Sequence, residues 1–132
     1  MKPKVLMVDD DPLMQILYKK HLEEGGYEML AAKDGSEAVI TIERDAPQLI
    51  IMDIMMPGLD GLSVLRKLKK SEVTRNIPVI VTTANVGAMA ATRRECENSG
   101  AAGFLPKPFS PGQLLEEVRR LAPVEPPQNT AS

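Results

Sequence analysis

An apolar run ending on a single acid, Leu49-Ile50-Ile51-Met52-Asp53, constrains the architecture of this 132-residue chain more than any other feature. Short continuous apolar runs bounded by turn signals belong to strands covered on both faces. Here the breakers Pro57, Gly58 and Gly61 follow at once. A strand of that kind has no packing use for a carboxylate, so Asp53 at its end points to a site opening at the strand tip. The competing use of such an Asp is to cap the following turn or helix.

Four more runs resemble this one: Val5–Val8, Tyr27–Ala32, Pro78–Val81 and Gly103–Pro106. Helical patterns separate them. Pro12 opens the first, with Leu13, Met14, Ile16, Leu17, Tyr18 and Leu22 at helical spacing and Gly25-Gly26 as its stop. Asp34-Gly35 turns, and Ser36 is the expected cap of a helix through Ala38, Val39 and Ile42 that ends before Pro47. Leu62, Leu65 and Leu68 mark the third, with Lys67, Lys69 and Lys70 read as a solvated face. Met89 to Ser99 is Ala-rich and stops at Gly100. Ser110-Pro111 opens the last, through Leu114, Leu115, Val118 and Leu121. Strict strand–helix alternation implies an α/β fold, a five-stranded parallel sheet with helices on both faces. The expected strand order is the flavodoxin-like 2-1-3-4-5. One domain over residues 1–122 is expected, then a flexible Pro-rich tail or the start of an interdomain linker over 123–132.

Composition narrows the function classes. A hydrophobic fraction of 43% and a charged fraction of 26% are ordinary for a globular domain. A net charge of -2 offers no footprint for nucleic acid. Aromatics at 3%, with no Trp, leave little to stack on bases or sugars. Cys96 stands alone, which excludes an internal disulfide or a Cys-rich metal site. No run suits a signal peptide or a membrane span, so the expected location is the cytoplasm, with no membrane partner.

In an open parallel sheet the carboxyl ends of all strands share one edge, and ligands bind where the strand order reverses. Asp9 and Asp10 follow strand one, Asp53 ends strand three, Thr82 and Thr83 follow strand four, and Lys107 follows strand five. Three clustered carboxylates repel unless a cation is near. A hard divalent ion with oxygen ligands, Mg²⁺ or Mn²⁺, answers that repulsion. Lys107 is a second positive charge suited to a carboxylate or phosphoryl oxygen, and Thr83 can donate to an anion. The inventory suits phosphoryl transfer to a carboxylate nucleophile.

Val8-Asp9-Asp10, Met52-Asp53-Ile54-Met55-Met56-Pro57-Gly58-Leu59-Asp60-Gly61, Thr83-Ala84 and Lys107-Pro108-Phe109 together resemble the receiver domains of bacterial two-component response regulators. The resemblance covers roughly residues 4 to 121. It implies that Asp53 accepts a phosphoryl group from a phosphohistidine on a sensor histidine kinase or histidine phosphotransfer protein. It further implies that Asp10 binds Mg²⁺ directly, Asp9 largely through water, and Met55 through its backbone carbonyl. Thr83 and Ala84 would engage the phosphoryl group, Lys107 would pair with it, and the Lys107–Pro108 peptide would be cis. Phosphorylation would draw Thr83 inward and let Phe104 rotate inward, changing the face made by helix four, strand five and helix five. That face would then meet a downstream target or output domain, or a second copy of the chain.

Some positions depart from the family pattern. Phe104 stands where Tyr is frequent, so no hydroxyl takes part there. Asp11 adds a third acid, read here as a loop charge or helix cap rather than a ligand. Met55 and Asn85 occupy the positions that tune dephosphorylation. Met55 cannot hold an attacking water as an amide would, which implies a moderate to long phosphoryl lifetime. His21 reads as a half-buried helix residue, Cys96 as a small packed hydrophobe, and Arg93 and Arg94 as a solvated face bordering the signalling surface. Two rivals are weighed. A haloacid-dehalogenase-like hydrolase needs a second acid where Met55 stands. A receiver acting as a phosphorylation-independent docking module would have no need of the complete site-residue set.

Overall fold

The computed structural model describes residues 2–55, 61–84 and 89–124. Pro57, Gly58, Asn85 and the tail over 125–132 lie outside the described residues. In chain order the elements are β1 (Lys4–Val8), α1 (Pro12–Glu24), β2 (Glu28–Ala32), α2 (Gly35–Asp45) and β3 (Leu49–Asp53), then α3 (Gly61–Lys70), β4 (Val79–Thr83), α4 (Met89–Asn98), β5 (Gly103–Pro106) and α5 (Pro111–Leu121). The strands form one sheet in the order β2-β1-β3-β4-β5, every pair parallel. Parallel neighbours need a crossover, and α1 to α4 supply them.

Strand residues alternate between two cores. Leu6, Val8, Ile50, Met52, Val79, Val81 and Phe104 face α2, α3 and α4, meeting Ala38, Ile42, Leu65, Leu68 and Cys96. Val5, Met7, Leu49, Ile51, Ile80 and Leu105 face α1 and α5, meeting Tyr18, Leu22, Leu114 and Val118. Every residue of β3 and β4 is buried, which is why both read as unbroken apolar runs rather than as alternating ones. Tyr27 precedes β2 rather than belonging to it. Its ring is buried and its hydroxyl donates to the Ala122 carbonyl at 2.7 Å, fastening the end of α5 to the sheet.

The helix ends follow from local chemistry. Asp11 caps α1, accepting from the Leu13 and Met14 amides, and Pro12 takes the first helical position, where no amide hydrogen is needed. Ser110 and Gln113 form a reciprocal capping box on α5. The cap of α2 is Asp34, not Ser36: the Asp34 carboxylate accepts from the Glu37 amide at 2.8 Å. A carboxylate is the better acceptor at the positive end of a helix dipole, and Ser36 becomes a first-turn residue.

Only Tyr18 and Leu22 of α1 are buried, while Leu13, Ile16 and Leu17 are 71%, 66% and 47% exposed. Positions 14, 18 and 22 form one stripe against the sheet, so 13, 16 and 17 must fall outside it. Lys69 is not simply solvated: its ammonium donates to the Ile77 and Arg75 carbonyls at 2.7 and 3.1 Å, and burial lowers its pKa. Among the described residues no helix is long and apolar enough to cross a membrane.

Candidate functional site

The pleat that separates the two cores also sorts the polar residues at the carboxyl edge. Val5 and Met7 point toward α1 and α5, and the alternation carried one step past β1 puts Asp9 on that side. Leu49 and Ile51 place Asp53 there, and Leu105 places Lys107 there. Parity thus brings one residue from each of three strands together. The Lys107 ammonium donates to Asp53 Oδ2 at 2.7 Å and to Asp9 Oδ2 at 2.9 Å. Asp53 Oδ1 accepts from the Met55 amide at 2.8 Å, and Asp9 Oδ1 accepts from the Asp11 amide at 3.0 Å. Asp9 and Asp53 are buried, whereas Asp10 is exposed at the mouth.

The charge balance is uneven. Burial lowers the Lys107 pKa, but the hydrogen bonds and charges of Asp53 and Asp9 outweigh it and the net shift is upward. Lys107 therefore stays an ammonium throughout the physiological range. Among the described residues one ammonium faces three carboxylates, since ligand oxygens of Asp9, Asp10 and Asp53 all lie within 4.8 Å of one another. Mg²⁺ holds its oxygen ligands at about 2.1 Å, so opposed ligands stand about 4.2 Å apart. The three carboxylates fit such an ion with small shifts or one bridging water, and their hard oxygen chemistry suits it.

The other predicted residues lie at the end of β4 or on neighbouring elements. Thr83 is fully buried at the end of β4, opposite Pro106 in register, and its carbonyl accepts from the Lys107 amide at 2.9 Å. Ala84 is exposed just beyond. Phe104 is buried on the α4 side of the sheet beneath the Arg93 guanidinium, 5.8 Å from the ring centre. The Met55 side chain is exposed at the mouth, and the Lys107–Pro108 peptide is cis. Asn85 lies outside the described residues. Asp11 points its carboxylate at the start of α1 and serves as the cap. His21 is half-buried, its Nδ1 3.8 Å from Glu24, and Cys96 is fully buried with its thiol pKa raised by burial.

Two contributors are missed by the sequence reading. Tyr18, read only as an apolar helix position, stacks on Phe109 with ring centres 5.4 Å apart, against the turn that carries Lys107. Gln15 turns its side-chain amide back over the ends of β1 and β2, with Nε2 at 2.8 Å from the Asp9 carbonyl. Its signal was a polar residue on the inward side of α1, which helical spacing alone does not interpret.

A parallel five-stranded sheet with a carboxylate cluster and a lysine at its carboxyl edge defines a class. The family model for the response regulator receiver domain matches residues 5–119, and the chain belongs to that family, the signalling phosphoacceptor domains of two-component systems. Among individual proteins, the chain is similar to the response regulator PleD of Caulobacter vibrioides, 40% identical over 92% of this chain and 26% of that protein. It is also similar to the DNA-binding dual master transcriptional regulator RpaA of Synechocystis, 36% identical over 90% of this chain and 48% of that protein. The chain thus spans between about a quarter and about half of these curated relatives. Among solved structures, the receiver domain of the Francisella response regulator 1452 superposes with a TM-score of 0.82 at 38% identity, covering 91% of this chain and 96% of that one. The receiver domain of the sensor histidine kinase PA1611 from Pseudomonas aeruginosa PAO1, solved with a magnesium ion in its active-site cleft, gives 0.80 at 33% identity, covering 92% and 98%.

Proposed function

We propose that Asp53 is the phosphoacceptor of this domain and that Asp9, Asp10, Asp53 and the Met55 carbonyl hold the Mg²⁺ on which acceptance depends. The observation that carries the reading is the convergence of three carboxylates and one ammonium at the carboxyl edge. The magnesium in the cleft of the Pseudomonas relative supports the same assignment by analogy. When bound, the ion neutralises charge on the phosphoryl oxygens.

The chain's own residues divide the remaining work. The Met55 amide and Lys107 orient the Asp53 carboxylate from two directions. One Asp53 oxygen bonds to phosphorus as the bond from phosphorus to the donor histidine nitrogen breaks. That nitrogen keeps the electron pair, and the imidazole leaves neutral with a proton on its other nitrogen. Lys107 then moves from the Asp53 oxygen to a phosphoryl oxygen, and the Thr83 hydroxyl and Ala84 amide bind another. Thr83 and Phe104 are already buried, so it is the shift of Thr83 toward the phosphoryl group that changes the packing of Phe104 under Arg93, and through it the face of α4, β5 and α5. The donor is a sensor histidine kinase or histidine phosphotransfer protein in the cytoplasm, and the changed face meets an output domain, a target protein or a second copy. The phosphoryl lifetime is moderate to long, because the Met55 side chain cannot hold an attacking water as an amide would; Asn85 is the other position that tunes dephosphorylation.

The test is incubation with acetyl phosphate and Mg²⁺, read by intact mass. The reading expects one phosphoryl adduct on the wild type, and none on Asp53→Asn or after chelation. An adduct of equal yield on Asp53→Asn would overturn it.

A further inference from the structure

From the geometry of α1 we infer that Gln15 is a positioning residue for the acidic loop: its amide holds the Asp9-Asp10 backbone so that both carboxylates are gathered before any cation arrives. The inference rests on the cation site proposed above and adds a residue that does not touch the ion.

Gln15 sits one turn into α1, its own amide hydrogen-bonded to the Asp11 carbonyl. Its side chain reaches back across the tips of β1 and β2. Nε2 stands 3.1 Å from the Met7 carbonyl, 2.8 Å from the Asp9 carbonyl and 3.1 Å from the Ala32 carbonyl. The amide's orientation is unambiguous, because the flipped form would set an oxygen against three carbonyl oxygens. The same Ala32 carbonyl accepts from the Asp9 amide at 3.0 Å, so Gln15 closes the last link of the β1–β2 pairing. Its Oε1 is buried with no hydrogen-bond partner among the described residues, so the side chain is placed for its donors.

The reason for such a clamp is electrostatic. Asp9 and Asp10 are pressed toward Asp53 with a single ammonium between them, and like charges at this separation push the loop outward. Asp11 pins the loop from the helix side by capping α1, and Lys107 pins only the Asp9 carboxylate. Besides the Asp9 amide's own bond to the Ala32 carbonyl, Gln15 grips the loop backbone at the Asp9 carbonyl from beneath and joins it to both strands. Groups that orient metal-binding side chains from behind typically change affinity by about 10- to 100-fold. The Asp9 main chain is only one part of the site, so the lower end is expected.

The experiment compares Mg²⁺ affinity by calorimetry with thermal stability in chelator for the wild type, Gln15→Met, Gln15→Ala and a control, Thr74→Val. Thr74 makes a buried hydrogen bond of 2.6 Å to the Leu68 carbonyl, away from the carboxyl edge, so its loss lowers stability without touching the loop. Gln15→Met keeps length and volume but removes the donors, and should weaken Mg²⁺ binding about tenfold. Gln15→Ala admits water to the three carbonyls and should weaken binding by a smaller factor; it carries the test if Gln15→Met does not fold. Thr74→Val should lower the melting temperature and leave Mg²⁺ affinity at the wild-type value. Wild-type affinity in the folded Gln15 variants would show a purely structural role and overturn the inference. No Mg²⁺ binding by the wild type would overturn the site reading itself, and the inference with it.

Discussion

Replacing Lys107 by Met probes the electrostatics of the site most sharply, because it removes the ammonium and keeps much of the stem. Two charge-assisted hydrogen bonds disappear, at 2.7 Å to Asp53 and 2.9 Å to Asp9, and two buried carboxylates lose their partner. Breaking a buried ion pair from one side costs about 3–5 kcal/mol. The Lys107 side chain is 21% exposed, so water recovers part of that, and the lower figure of about 3 kcal/mol applies. With a urea m-value of about 1.5 kcal/mol/M, the unfolding midpoint in chelator should fall by about 2 M. Millimolar Mg²⁺ should narrow the gap, since the variant binds the ion without a competing ammonium and gains more by mass action. The assay is urea unfolding followed by far-ultraviolet circular dichroism, with and without Mg²⁺. A midpoint within about 0.3 M of wild type in chelator, or a gap that Mg²⁺ leaves unchanged, would refute the reasoning.

Three other outcomes follow from particular residues. Burial raises the pKa of both Tyr18 and Tyr27 above 10.0, and no Trp interferes, so phenolate absorbance should appear above pH 10 in the native protein and near 10 in urea. Because the folded state holds those protons more tightly, their stabilising share is complete below pH 10 and is lost as the pH rises beyond it; a native titration at or below 10 would contradict this. A Cβ on Gly61 would lie 2.7 Å from the Ile54 Cα, next to Asp53, so Gly61→Ala should lose about 1–3 kcal/mol in urea unfolding and weaken Mg²⁺ binding, despite the better helix propensity of Ala. Cys96 is fully buried and its thiol pKa is raised, so a thiol reagent should label the native protein only as fast as it opens, and labelling at the rate of a free thiol would show that α4 is not packed as described.

The fold was legible because four of the five strands announce themselves twice, by an apolar run and by the polar residue that ends it. Asp9, Asp53 and Lys107 even share one pleat side, which counting by twos from Val5, Leu49 and Leu105 reproduces. Helix α1 was less legible. Apolar residues cover most of its circumference, so spacing could not tell the stripe through Tyr18 and Leu22 from the exposed Leu13, Ile16 and Leu17. The α2 cap was misplaced because Asp34 and Ser36 are both good caps two residues apart, and only the Glu37 amide decides between them. Gln15 and Lys69 were unreadable for a different reason: the carbonyls they serve are gathered from separate elements and exist as targets only after the sheet has formed.

The central claim, that Asp53 is where the phosphoryl group arrives, is tested most directly by locating the modified residue. After treatment with acetyl phosphate and Mg²⁺, borohydride reduction converts an aspartyl phosphate to homoserine, and peptide mapping finds the altered residue. Homoserine at position 53, absent when Mg²⁺ is chelated, is the predicted result. Homoserine at position 9 or 10 with residue 53 unaltered would contradict the account.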